Sequence, residues 1–169
     1  MRLRGYDYAS QGAYFVTICT YRRTCLFGEI IDEKMQLNQF GQIAEDCWQQ
    51  IPKHFSNVDL DEFIVMPNHL HGIIIIEYSV TQKQPGTTER FGNMMQPGAL
   101  STIVRSFKSA TTRQINILRA GPKSPVWQRN YYDHIIRNAI SYGRIKYYIR
   151  HNPLSWQVDQ LHPNNPSKW

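Results

Sequence analysis

Cysteine is scarce in this chain: Cys19, Cys25 and Cys47 are the only three among 169 residues, with no CxxC pair. An odd, scattered set excludes a disulfide framework and a cysteine zinc site. Long apolar runs are missing as well. The longest, residues 72–76 (GIIII), has the length of a strand, whereas a membrane-spanning helix needs ~20 apolar residues. Arg2 and Arg4 ahead of the apolar stretch 13–19 faintly imitate a signal peptide. Polar residues interrupt that stretch and no small-residue cleavage site follows, so a cytoplasmic protein is expected. Acidic residues are rare in one half only: residues 99–169 hold just Asp133 and Asp159.

What is present is a foldable composition, 41 % apolar or aromatic, enough for one domain with a real core and too apolar for a disordered chain. The formal charge of +6 conceals an asymmetry. Residues 1–98 carry 8 basic and 11 acidic side chains, whereas residues 99–169 carry 11 basic side chains against those two acids. A field of one sign steers polyanions. Trp127, Tyr131, Tyr132, Tyr142, Tyr147 and Tyr148 interleave with these bases. Aromatic faces among cations suit single-stranded nucleic acid, whose bases stack while Lys and Arg hold phosphates. A solvated basic surface over core aromatics would read the same way.

Residues 13–20 (AYFVTICT) predict a first strand, and residues 27–37 a hairpin or short strand. Asn38 caps a predicted helix with Phe40, Ile43, Ala44, Cys47, Trp48 and Ile51 at 3–4 spacing. Val58–Met66 and 69–77 predict two strands joined at Pro67–Asn68, the second buried on both faces and central. Residues 79–98 lack periodicity and predict a long loop, functional or disordered. Leu100–Leu118 returns to helical spacing, residues 126–137 predict a fourth strand, and Asn138 caps a helix reaching about His151 before Pro153. The order β-α-β-β-α-β implies an α+β, ferredoxin-like (RRM-like) antiparallel sheet with two helices on one face and one extra C-terminal helix. Residues 1–155 form a single domain in this reading, and 156–169 a Pro- and Asn-rich tail over the surface.

His69 and His71 are two apart on a strand and leave the same face. Two imidazoles so placed chelate a divalent ion or simply form hydrogen bonds on a half-exposed strand. On the last helix Tyr148 and Asn152 lie one turn apart, at the edge of the core stripe of Tyr142, Ile145 and Ile149. Tyrosines at such spacing are commonly packing residues, and Asn152 also suits a helix C-cap. Gly143 in mid-helix suggests close approach by another backbone or a ligand.

These residues carry a resemblance. Val65-Met-Pro-Asn-His69-Leu-His71-Gly-Ile resembles the HUH motif (His, hydrophobic, His) of single-tyrosine transposases of bacterial insertion sequences. Trp127-Gln-Arg129, His134-Ile-Ile-Arg137 and Tyr148-Ile-Arg-His-Asn152-Pro153 resemble the closing block of the REP-associated tyrosine transposases. Tyr14-Phe-Val-Thr-Ile-Cys-Thr resembles that family's first strand and Ile103-Val-Arg-Ser-Phe107-Lys108 its second helix. The motifs run in order over roughly residues 5–155.

The resemblance implies binding of single-stranded DNA, often beside a hairpin, and cleavage of one strand. Tyr148 is then the nucleophile, leaving a 5′-phosphotyrosine and a free 3′-hydroxyl. His69 and His71 hold Mg²⁺ or Mn²⁺, with Asn152 as the third, polar ligand on the tyrosine helix. Tyr147 is adjacent, but the one-turn relation to Asn152 favours Tyr148. Arg22, Arg23, Arg105, Lys108, Arg113 and Arg144 are candidates for contact with DNA. The unit is a monomer or a homodimer, since some relatives build their sites across a two-fold axis. Two rival readings stand beside this one: a non-catalytic nucleic-acid-binding module with a ferredoxin-like sheet, and a metal nuclease that uses water.

Overall fold

A computed structural model describes residues 7–79 and 98–165. Among these residues are six strands: β1 (Gly12–Cys19), β2 (Gly28–Ile31), β3 (Lys34–Leu37), β4 (Val58–Met66), β5 (His69–Ile76) and β6 (Tyr132–Ile136). Four α-helices accompany them: α1 (Gln39–Gln49), the single turn α2 (Ile51–His54), α3 (Leu100–Leu118) and α4 (Ala139–His151). The main sheet has the order β4-β5-β1-β6 with every pair antiparallel, and β2 and β3 form a separate hairpin. The protein is therefore a mixed α/β fold built on an antiparallel sheet. No helix among the described residues is long and apolar enough to cross a membrane.

Alternation along the strands separates the two faces of the sheet. Tyr14, Val16 and Ile18 of β1, Leu70, Ile74 and Ile76 of β5 and Ile135 of β6 pack with α1 and α3 in the larger core. Phe15, Ile73, Ile136 and Ile149 form a smaller cluster on the opposite face, under α4. The isoleucine run thus serves two cores at once. Gly72 belongs to the larger one: a Cβ there would lie 2.3 Å from Cζ2 of the fully buried Trp48, so α1 approaches β5 only where the strand has no side chain.

Two helices, α1 and α4, start at an asparagine. The Asn38 side chain accepts from Phe40 N and Gly41 N, and Asn138 accepts from Ser141 N, each satisfying orphan first-turn donors. Between Leu60 and Phe63 a register shift in β4 leaves Asp61 and Glu62 outside the ladder. Those two carboxylates fasten α4. Asp61 accepts from the Tyr142 hydroxyl and, at 2.9 Å, from Lys146 Nζ; Glu62 accepts from Arg150 Nε at 2.6 Å.

Three expectations change. The fourth strand is shorter than 126–137. Tyr132–Ile136 forms the ladder with β1, while Trp127 makes only an isolated bridge to Thr20; Val126 and Trp127 turn into the larger core and residues 128–130 are drawn to Lys108. Residues 156–161 are more than a surface tail: Trp156, Asp159 and Leu161 are buried, and a 3₁₀ turn (Pro153–Val158) brings Trp156 against His69 of β5, while Gln157, Val158 and Gln160 stay exposed. Gly143 faces open space, with nothing within 4 Å of where its Cβ would stand, so no close approach explains it. The predicted loop 79–98 lies outside the described residues except for its two ends.

Candidate functional site

β5 places His69 and His71 on the α4 face of the sheet, both buried, with ring centroids 4.5 Å apart. Each ring has one nitrogen tied to a neighbour. His71 Nδ1 lies 2.8 Å from Thr17 Oγ1, its partner residue on β1. His69 Nδ1 lies 2.8 Å from Asn68 Oδ1, while Asn68 Nδ2 donates to the carbonyls of Arg23 and Leu161. Because the Asn68 amide nitrogen is used elsewhere, its oxygen accepts, which makes His69 Nδ1 the protonated nitrogen. The Nε2 lone pair of His69 then points into the site, buried and without a partner among the described residues. Outer-shell partners that fix a ring tautomer are what histidine ligands of metals require.

α4 supplies the other wall. The Tyr148 hydroxyl lies 3.2 Å from His71 Nε2, whereas the Tyr147 ring points outward and stacks on His151 at 3.8 Å. Asn152, at the end of α4, is 1 % exposed. Its Nδ2 donates to Asp159 Oδ2 at 3.1 Å, and its Oδ1 is buried with no partner among the described residues. Asp159 is itself buried and also accepts from Leu161 N at 2.6 Å. Ligand atoms of His69, His71 and Asp159 all lie within 4.8 Å of one another. Two imidazole nitrogens, an amide oxygen and a carboxylate form a donor set compatible with a hard or borderline divalent cation. Such a cation would satisfy the two orphaned lone pairs, on His69 Nε2 and Asn152 Oδ1.

Burial decides the protonation of the site. It drives His69 down to about 4, against the opposing pull of the Asp159 carboxylate and the neighbouring Asn152 amide. Burial also lowers His71 well below the ordinary imidazole value, and His69 adds to the effect. Both rings are neutral near pH 7, as ligands must be. Tyr148 moves the other way: burial, and then the charge of Asp159, raise its phenol to about 12.

The six basic candidates are not brought together. Arg23 lines the cavity beside Tyr148, and Arg22 is exposed next to it. Arg144 is exposed on α4. Arg105 and Arg113 lie on α3, across the sheet, where they line a groove with Lys123 and Arg129. Lys108 is committed internally. Its ammonium donates to the carbonyls of Gln128, Arg129 and Asn130 at 2.9–3.3 Å, and burial lowers it to about 8.

Sequence reasoning missed Asp159, Asn68 and Thr17. For Asp159 a signal existed: it is one of two acids in an otherwise basic half of the chain.

No family model matches the chain. An uncharacterized protein of Haemophilus influenzae is 45 % identical over 166 residues, covering 96 % of this chain and 91 % of its own. The chain belongs to the same family as that protein. Among solved structures, a REP-associated tyrosine transposase bound to a REP hairpin shares the fold at a TM-score of 0.60. The identity is 18 %, and the likeness covers 92 % of this chain and 73 % of that one.

Proposed function

We propose that the chain is an HUH-type single-tyrosine DNA strand transferase, a metal-dependent endonuclease that works through a 5′-phosphotyrosine on single-stranded DNA beside a hairpin or repeat. The observation that carries this reading is the convergence, in one chain, of Tyr148 with the paired histidines of β5, hydroxyl to imidazole at 3.2 Å. We read the sheet as ferredoxin-like, with α1 and α3 on one face and the tyrosine helix α4 added on the other. The hairpin in the structurally similar transposase supports hairpin DNA as the partner.

In the forward step Tyr148 Oη bonds to the scissile phosphorus as the phosphorus–O3′ bond breaks. The phenolic proton ends on the departing 3′-oxygen, and the fragment downstream of the cut stays esterified to the enzyme through its 5′-phosphate. A 3′-hydroxyl attacking the phosphotyrosine reverses the step without ATP. Mg²⁺ or Mn²⁺, held by His69 and His71 with Asn152 and Asp159, would polarise a non-bridging phosphate oxygen and offset charge in the transition state. A phenol raised to about 12 stays protonated until that charge field is assembled. Arg22, Arg23 and Arg144 are assigned to the strand near the tyrosine, and Arg105 and Arg113 to backbone phosphates of the stem. One chain brings both histidines and the tyrosine together, which supports a site built within a single copy.

The test incubates the protein and Mn²⁺ or Mg²⁺ with a labelled library of single-stranded hairpin oligonucleotides, followed by a denaturing gel. A covalent protein–DNA band should survive Tyr147→Phe and vanish in Tyr148→Phe and His69→Ala. Cleavage without a covalent band would establish the hydrolytic nuclease instead. Binding with neither band nor cleavage would establish the non-catalytic module.

A further inference from the structure

A cavity of about 460 Å³ opens beside the Tyr148 hydroxyl, with Tyr148 and His71 forming one side. That is within the ~300–1,000 Å³ typical of sites for small organic groups. Its floor is aromatic. Phe15, 8 % exposed, stacks on His71 at 5.3 Å and meets Tyr132 edge-on at 6.4 Å. Its rim carries three side-chain amides, Gln128, Asn130 and Gln160, which make no hydrogen bond to any described residue. Among the described residues no carboxylate lines it, and Arg23 is part of its wall.

Two of those amides sit on a segment held in place from behind. Lys108 Nζ donates to the carbonyls of Gln128 and Asn130, and Gln128 N donates to Cys19 O. The backbone is pinned, and both residues line the cavity. An apolar aromatic floor beneath unengaged amides suits a planar ring with both donors and acceptors on its edge. Flat faces stack on the floor, and each amide offers one donor group and one acceptor. Among the components of a DNA strand only the base has that form.

We propose that this cavity takes one unpaired nucleobase of the strand, from a nucleotide adjoining the phosphate presented to Tyr148, and that Gln128 and Asn130 read its edge. The proposal rests on the strand-transferase reading and names the part of the substrate that sets where the strand is cut. Phe15 and Tyr132 accept any base by stacking, and the amides discriminate.

The experiment uses the full chain and hairpin oligonucleotides with randomised unpaired flanks, read in two arms. In the first, covalent products formed with Mn²⁺ are isolated and sequenced. In the second, oligonucleotides retained by the Tyr148→Phe protein are sequenced without any cleavage. Wild-type products should share one base at one position next to the phosphotyrosine, and the retained pool should show the same preference. Gln128→Ala and Asn130→Ala should relax that position about tenfold, the scale of a lost edge contact, and leave the other positions as they were. Thermal melts identify a variant that fails to fold, and Gln128→Glu, similar in size but unable to donate, then serves in its place. An unchanged base distribution in both arms, or a wild-type pool with no preference at any unpaired position, overturns the proposal. A binding preference without covalent product would leave the pocket standing and remove the chemistry; covalent product without a base preference would do the reverse.

Discussion

Replacing Asp159 by Asn tests the site at the residue that sequence reasoning missed. The carboxylate accepts from Asn152 Nδ2 at 3.1 Å and from Leu161 N at 2.6 Å, and both of its neighbours are buried. The introduced amide still offers one oxygen for Leu161 N. Its nitrogen, however, then faces the nitrogen of Asn152. The least costly remedy is for Asn152 to rotate its amide by half a turn. The hydrogen bond is thereby restored, but Oδ1, the orphaned acceptor that faces the histidines, is replaced by an NH₂ group with no lone pair for a cation. Loss of a partner that orients a metal ligand costs about 10–100-fold in affinity, or roughly 1.4–2.7 kcal/mol, and exchanging the carboxylate of Asp159 for a neutral amide weakens it as a ligand in the same direction. Folding stability without metal should fall by only about 1 kcal/mol, the difference between a charge-assisted and a neutral hydrogen bond. Asp159→Ala strands both donors and should cost about 1–3 kcal/mol for each. Calorimetric titration with Mn²⁺, paired with urea unfolding in chelator, separates the two effects. An Asp159→Asn protein that binds Mn²⁺ within twofold of wild type would refute this account and reduce Asp159 to a brace for the C-terminal turn. Removing its charge should also lower the Tyr148 titration midpoint from about 12, visible as phenolate absorbance.

Acid should destabilise the metal-free protein. His69 titrates near 4 when folded, against about 6.5 unfolded. The unfolded chain therefore binds more protons between those values, and stability falls as pH drops through that window, by about 1.4 kcal/mol for each pH unit crossed. Urea midpoints that stay level from pH 7 to 4.5 would count against two buried neutral imidazoles. Gly72→Ala should lower stability by about 1–3 kcal/mol, because its Cβ would meet buried Trp48 at 2.3 Å; an unchanged melting temperature would show that α1 can back away. Lys108→Met keeps the buried stem but leaves three carbonyls without their donor. It should weaken folding by roughly 1–3 kcal/mol, and a neutral result in urea unfolding would return Lys108 to the candidate DNA contacts.

The parts of the fold that are legible in the sequence are those whose signal is local. Asn38 and Asn138 announce helix starts because capping involves residues two or three apart. The spacing of Leu100–Leu118 gives α3 because a buried stripe repeats every 3.6 residues. His69 and His71 can be placed on one face because strand alternation fixes it. What cannot be read depends on contacts remote in sequence. The fourth strand is shorter than its pattern suggests, since nothing within 126–131 announces a lysine twenty residues upstream, which gathers its carbonyls. The tail has the composition of a surface segment because proline and asparagine mark turns, and a turn does not say what it turns toward. Here it turns toward the histidines. Asn68 links the two regions, holding the His69 ring with its oxygen and the Leu161 carbonyl with its nitrogen. One side chain thus sets the tautomer of a candidate ligand and anchors the segment that brings Asp159 to it. Asn68→Ala should therefore weaken Mn²⁺ binding in the same direction as Asp159→Asn. If the two act through one assembly, the double variant should lose less than the sum of the single losses. Full additivity would mean that the ring and the turn are held independently.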